Sequence, residues 1–373
     1  MIEILENTPS LATRLRERIK LEGPITFCDW MKSALYDSRE GYYCRSDRSR
    51  WGREGDYRTS PERSPLFAAT FARYFAGLHE QLGGPATWTI LEAGAGEGRF
   101  SKVLLQTLQK SFPEVFAATS CVVAEVSSVS RMQAEERLRP FADRVQFRSI
   151  DEVEINAGVV FSNELLDAFP VHRIVLRGGE FKEFYVTVNE NGNFAWLLQA
   201  LSPALSTRLE GYLADAGSLP GEGQVVEVSL EIEDWVRRVA SLMRSGYVVT
   251  VDYGAPAADL YSREANRGGT LRGFQRHEFV GDLLAQPGEH DLTTTVNWSF
   301  VKAVGARVGL EFVELSRQDQ FLLANGFLEQ LEIESRQAKD DGERHQLSTG
   351  AREMILPDGM AASFQVLVQR KTS

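Results

Sequence analysis

Residues 90–100, ILEAGAGEGRF, read as an apolar strand, a turn Gly94-Ala95-Gly96-Glu97-Gly98 and the start of a helix. Glycines allow a tight turn and let a ligand approach the backbone closely. A helix N-terminus adds N–H groups with no partner inside the helix. Glu125 closes the next apolar stretch with Val126 beside it, and a carboxylate there can accept hydrogen bonds from both hydroxyls of a ribose. Ile150 and Asp151 follow the third such stretch, where an adenine would be bordered. The spacing is GxGxG and not the GxGxxG of the dinucleotide fingerprint, and Glu97 would sit badly beside a pyrophosphate. S-adenosylmethionine carries no phosphate and is the expected cofactor, ahead of NAD or FAD. The plainer alternatives are an ordinary glycine turn, an idle strand-end acid and, for Asp151 in the acidic run DEVE, a solvated helix start.

A second group lies in residues 162–173, SNELLDAFPVHR. Glu164 and Asp167 stand just beyond a fourth strand, at the sheet edge where open α/β folds bind ligands. On a helical start, positions three apart share a face, which would aim both acids into one pocket. Paired carboxylates grip a guanidinium through charge-assisted hydrogen bonds. Asn163 would place an amide near the methionine part of the cofactor. Asp252 closes a fifth strand, and His290 beside Asp291 is a candidate proton acceptor near neutral pH. Thr59, Ser60 and Glu62 are candidates for a lid. The structural alternatives are a turn-capping role for Asp167, packing roles for His290 and His172, and a capping turn before Pro65 for the Thr59 segment. No Cys or His spacing suggests a metal, and transfer from a sulfonium needs none.

These residues require a particular scaffold. Strands at 88–93, 121–126, 145–149 and 159–162 alternate with helices at 98–110 and 128–138, the βαβαβ order of a parallel sheet. Two helices at 11–35 break at Gly23-Pro24, and Thr26 caps the second. Residues 65–82 form another helix. From 173 to 198, strand-like segments are separated by Gly178-Gly179 and Asn191-Gly192, which predicts an antiparallel hairpin insertion. A helix at 230–244 and a fifth strand at 247–252 follow. Beyond lie a long loop at 254–295, a helix at 297–308, a strand at 311–315, a helix at 321–334 and a last strand at 364–369. The expected divisions are an N-terminal helical region with active-site loop (1–80), the first part of a Rossmann-like core (81–172), an inserted hairpin and helical substrate-side region (173–244) and the rest of the core (245–373).

The 373 residues include 41 basic and 52 acidic ones, for a net charge of −11, which argues against nonspecific nucleic-acid binding. Three scattered cysteines make no disulfide framework. No apolar run approaches a membrane span, so a cytoplasmic location is the default, with mitochondria if the source is eukaryotic.

Seven segments together resemble the MidA family, the mitochondrial complex I assembly-factor methyltransferases, over nearly the whole chain. They are EGPITFCDWMKSALYDSREGYY (22–43), GDYRTSPE (55–62), LEAGAGEGRF, SNELLDAFPVHR, VDYG (251–254), GGTLRGF (268–274) and PGEHDLTTTVNWS (287–299). The resemblance implies a class I methyltransferase fold, a seven-stranded sheet whose last strand runs antiparallel, with S-adenosylmethionine as cofactor. It also implies methylation of a protein arginine, and a homodimer is admitted. The rivals are an O-methyltransferase acting on a small molecule or carrier-bound intermediate, a non-enzymatic assembly factor and a nicotinamide oxidoreductase.

Overall fold

A computed structural model describes residues 9–45, 59–276, 278–356 and 363–372. Residues 55–58 of the GDYRTSPE segment lie outside the described residues. The chain divides into two units, each assembled from three stretches: residues 58–165, 235–254 and 304–373, and residues 1–57, 166–234 and 255–303.

The first unit is built on one mixed sheet. Its strands are β1 (Trp88–Ala93), β2 (Thr119–Ala124), β3 (Val145–Phe147), β4 (Ile155–Asn163), β5 (Met243–Ala255), β6 (Leu310–Arg317) and β7 (Phe364–Lys371), in the spatial order β6-β7-β5-β4-β1-β2-β3. The pairs β2–β3, β1–β2, β1–β4 and β4–β5 are parallel, while β7 runs antiparallel between β5 and β6. This is the fold expected from the sequence.

The central strands are apolar because both faces are covered. On one face, α1 (Pro65–Gln81) buries Leu66, Phe67, Phe71 and Phe75. Helix α2 (Arg99–Ser111) buries Phe100, Leu104, Leu105 and Leu108. Phe100 stacks on Phe161 of β4 with ring centroids 4.1 Å apart, and Phe71 lies 5.1 Å from Phe161. Helix α3 (Ser128–Leu138) follows β2 and begins at Ser127, whose hydroxyl accepts from the Ser130 N–H.

Register fixes where the loops emerge. Ala93 pairs with Ala124 and with Ser162, and Asn163 pairs with Val251. The turns after β1, β2 and β4 therefore leave the sheet at one level, while β5 runs on to Ala255. Three adjacent strands about 4.8 Å apart place those turns along an edge of roughly 10 Å.

Several elements differ from the sequence expectation. The helix expected at 321–334 is two, Gln318–Ala324 and α4 (Phe327–Gln337), parted at Gly326 with φ 89°. Helices Pro203–Ala216 and α5 (Asp341–Ile355) were not anticipated, although Leu205, Leu209, Tyr212 and Leu213 in the first and Leu347, Ala351 and Met354 in the second recur at helical spacing.

In the second unit, helices Leu11–Glu22 and Phe27–Tyr36 part at Gly23 with φ 89°, and the Thr26 hydroxyl accepts from the Asp29 N–H. They bury Leu11, Leu15, Phe27 and Trp30 with Val186 and Phe194 of the hairpin sheet. That sheet pairs His172–Arg177 with Glu180–Val188 through Gly178-Gly179, and Glu180–Val188 with Phe194–Ala200 through Gly192. The long loop expected at 254–295 contains a helix, Ala257–Ser262, and a small antiparallel sheet of Arg272–Gln275, Glu278–Phe279 and Asp291–Thr293. Strands of two to four residues are too short to show an alternating pattern in sequence.

Candidate functional site

The turn after β1 is set by three left-handed glycines, Gly94 (φ 68°), Gly96 (φ 52°) and Gly98 (φ 74°). A Cβ on Gly98 would lie 3.0 Å from the Ala134 Cβ, so this glycine lets α3 approach. A Cβ on Gly94 would meet Leu165 Cδ1 at 2.9 Å, which puts the turn after β4 directly against the glycine turn. Gly94 is exposed on its outer side, Ala95 half so, and Gly96 is buried.

Glu125 follows β2 and folds back on this turn. One carboxylate oxygen accepts from the Gly96 N–H at 2.8 Å and the other from the Ser127 N–H at 2.8 Å. Next to it Val126 is 82% exposed, an apolar surface beside an acid. Glu97 points elsewhere: its carboxylate lies 3.0 Å from Arg137 Nη1 and 3.5 Å from Arg99 Nε. The charge that seemed set to repel a pyrophosphate is thus taken up by two arginines. Asp151 is exposed, in a one-turn helix capped by Ser149, with its carboxylate 2.8 Å from Arg238 Nε. Ile150 beside it is half-buried.

Glu164 departs most from the sequence reading. Residues 164–167 are not a helical start, so the shared-face argument for Glu164 and Asp167 fails. Glu164 takes a left-handed backbone, φ 52°, which costs a non-glycine residue about 1–2 kcal/mol. Strain of this kind persists only where surroundings impose it, and it gathers at functional sites. Here the Glu164 N–H donates to the Val251 carbonyl at 2.9 Å, and the next N–H, of Leu165, donates to Asp252 Oδ2 at 3.2 Å.

The Glu164 residue keeps some open surface, yet its carboxyl lies deep among protein atoms. Burial pushes it up to about 8, and the Asp252 charge adds to this. Hydrogen bonds from the Asn163 amide (2.9 Å) and the Ser60 N–H, with the Arg63 charge, act in the opposite sense. Asn163 Oδ1 is enclosed and accepts no hydrogen bond among the described residues.

Of the lid candidates, Thr59 is buried, and its carbonyl accepts from the N–H groups of Glu62 and Arg63. The Ser60 hydroxyl donates to Gln318 Oε1 at 3.3 Å, and the Glu62 carboxylate lies 3.7 Å from Arg99.

Two candidates belong to the second unit. Asp167 is buried, and its carbonyl accepts from the Thr294 N–H at 2.9 Å. His290 is buried, with Nε2 3.1 Å from the Leu283 carbonyl oxygen. A carbonyl only accepts, so that nitrogen carries the proton. His172 pairs through Nδ1 with buried Glu183 at 2.6 Å, a contact within the hairpin sheet.

Glu92 was missed in the sequence, although an acid inside an apolar strand was the signal. It is buried in β1 and accepts from the Ser101 hydroxyl and N–H near the start of α2, where Gly98 offers no capping side chain. Burial pushes it up to about 8. The Cys121 thiol beside Ser101 is pushed up to about 12 by burial, which leaves it inert. Among the described residues, no group of three or more His, Cys, Asp or Glu could hold a metal ion, and no helix is long and apolar enough to cross a membrane.

Residues 70–316 match the model of a family described as "Putative S-adenosyl-L-methionine-dependent methyltransferase". Among solved structures, a COG1565 superfamily protein from Burkholderia thailandensis bound to S-adenosyl-homocysteine is 27% identical, with a TM-score of 0.83 over 97% of this chain and 92% of that one. Among named proteins, the mitochondrial protein arginine methyltransferase NDUFAF7 homolog of Drosophila melanogaster is 27% identical over 80% of this chain and 71% of its own. The mitochondrial protein arginine methyltransferase NDUFAF7 of Mus musculus is 26% identical over 96% of this chain and 83% of its own. These relatives are named as mitochondrial proteins, and they give the cytoplasmic default no support.

Proposed function

Because the chain belongs to this family of S-adenosyl-L-methionine-dependent methyltransferases, we propose that it methylates an arginine side chain of a protein. The observation that carries the reading is Glu164, a buried carboxyl held in a left-handed turn against the glycine turn.

The residues present fit the cofactor. The Glu125 carboxylate would accept both ribose hydroxyls, Val126 would be covered by the adenine, and Gly94, Ala95 and Gly96 would let the chain approach closely. Ile150 and Asp151 would border the adenine. Asn163 Oδ1, an enclosed acceptor with no partner among the described residues, suits the ammonium of the methionine part. When bound, the cofactor supplies an electrophilic methyl on a sulfonium.

The protein's part is then positioning. An arginine enters as a cation. Glu164 would lose its proton to solvent as it pairs with the guanidinium, and it would draw charge to the nitrogens not being methylated. Held there, a guanidinium nitrogen would take up the methyl that the bound cofactor supplies, leaving neutral S-adenosylhomocysteine, and the product guanidinium would shed one N–H proton to solvent. Names of relatives that are protein arginine methyltransferases support the acceptor class. Thr59 and Ser60 would close the site from the α1 side.

The test is transfer of tritiated methyl from S-adenosylmethionine into lysate proteins, followed by acid hydrolysis. Recovery of methylarginine is expected. Label released by mild base, as from an O-methyl ester, would overturn the reading.

A further inference from the structure

Asp252 lies near the carboxyl end of β5, beside the turn that carries Glu164, and its side chain is fully buried. Its two oxygens accept from the N–H groups of Leu165 (3.2 Å) and Tyr253 (2.9 Å). The N–H of Glu164 itself is held by the carbonyl of Val251, the residue before Asp252. Both peptide groups that define the left-handed residue are thus pinned by two consecutive residues of β5. Without those bonds the turn would have no reason to keep a strained backbone.

The same carboxylate acts through its charge. Two acids near the carboxyl ends of adjacent strands disfavour each other's ionised form. Among the described residues, the groups facing Glu164 from the surrounding elements are Asp252 on β5, Arg63 before α1, and the polar Asn163 and Ser60 N–H. Arg63 is itself engaged by Glu353 of α5 at 3.3 Å, which shares its charge. A second buried acid gains nothing from a neutral hydroxyl acceptor, whereas a cationic acceptor is drawn by both.

We propose that Asp252 is a positioning residue for methyl transfer, fixing the turn that presents Glu164 and making the acceptor site selective for a cation. This rests on the methyltransferase reading of Glu164.

The test uses the full chain with ¹³C-labelled glutamate side chains, following carboxyl resonances from pH 5 to 10. The Glu164 resonance is the one absent from Glu164→Gln. In the wild type its midpoint is expected near 8, and Asp252→Asn should lower it by about one pH unit, with S-adenosylhomocysteine affinity and circular dichroism little changed. A folded Asp252→Asn with an unmoved midpoint overturns the positioning role. A purely structural role would change the melting temperature and leave that midpoint in place.

Should Asp252→Asn fail to fold, wild-type protein with ¹³C-labelled aspartate answers the same question. One aspartate resonance should inflect where Glu164 titrates, and the inflection should vanish in Glu164→Gln; no such inflection overturns the proposal. The two readings fail separately. A fully active Glu164→Gln sinks the transfer site, while an inactive Glu164→Gln with an unmoved Asp252→Asn midpoint sinks only the role of Asp252.

Discussion

Replacing Glu125 by Gln probes the cofactor site with the smallest change of shape. The carboxylate accepts from Gly96 with one oxygen and from Ser127 with the other, each at 2.8 Å. Gln keeps one acceptor and puts an NH₂ where the second oxygen stood. That NH₂ faces a backbone N–H, so a donor opposes a donor, and a ribose hydroxyl loses its acceptor. A hydrogen bond to a charged group contributes about 1.5–3 kcal/mol. One such bond is lost to the ribose, and a second bond, to the turn, is strained. Glu125 is half-open to water, so the lower part of that range applies to each and the total is about 2–4 kcal/mol. At 1.4 kcal/mol per decade this is a loss of roughly 30- to 700-fold in affinity. Isothermal titration with S-adenosylmethionine and S-adenosylhomocysteine reads it directly, and circular dichroism confirms the fold. Affinity within threefold of wild type in a folded variant would refute the assignment of Glu125 to the ribose.

Gly94→Ala places a methyl against Leu165 and a side chain at φ 68°, at a cost of about 2–4 kcal/mol; calorimetry should show a lower melting temperature together with weaker cofactor binding. Glu164→Gln should abolish transfer to arginine while leaving S-adenosylhomocysteine affinity within a few-fold, measured by methyl labelling and titration side by side. Wild-type transfer should rise with pH toward about 8, because Glu164 is protonated below that value and cannot pair with a guanidinium until it ionises. Glu92 also has a raised folded value, about 8 against 4.5. Between those two pH values the native state holds a proton that the unfolded chain has released, so stability falls as pH rises through the window. Glu92→Gln should therefore lose part of that slope, and thermal melts at pH 5 and pH 8.5 should converge relative to wild type.

What could be read from the sequence was local. A glycine turn between an apolar strand and a helix, and an acid at the end of the next strand, declare themselves within a dozen residues. The hairpin insertion did so through Gly178-Gly179 and Asn191-Gly192. Glu164 was recognised by its place after a strand, but its left-handed backbone is imposed by Val251 and Asp252, 87 residues away, and no local pattern encodes that. The strands of 254–295 were hidden for a related reason, since their stability comes from Arg272–Gln275 meeting Asp291–Thr293 across a long intervening segment. Glu97 shows the opposite error. Its type was read correctly, but Arg137, which settles where the charge goes, sits 40 residues on.

Strand β7, residues Phe364–Lys371, lies between β5 and β6 and bonds to both. Its eight residues are therefore an interior plank of the sheet. Until β7 has been made, β5 and β6 each keep a bare edge, and such edges invite aggregation. A nonsense codon or protease cut shortly before residue 364 would remove β7 and leave an open seam in the sheet between β5 and β6.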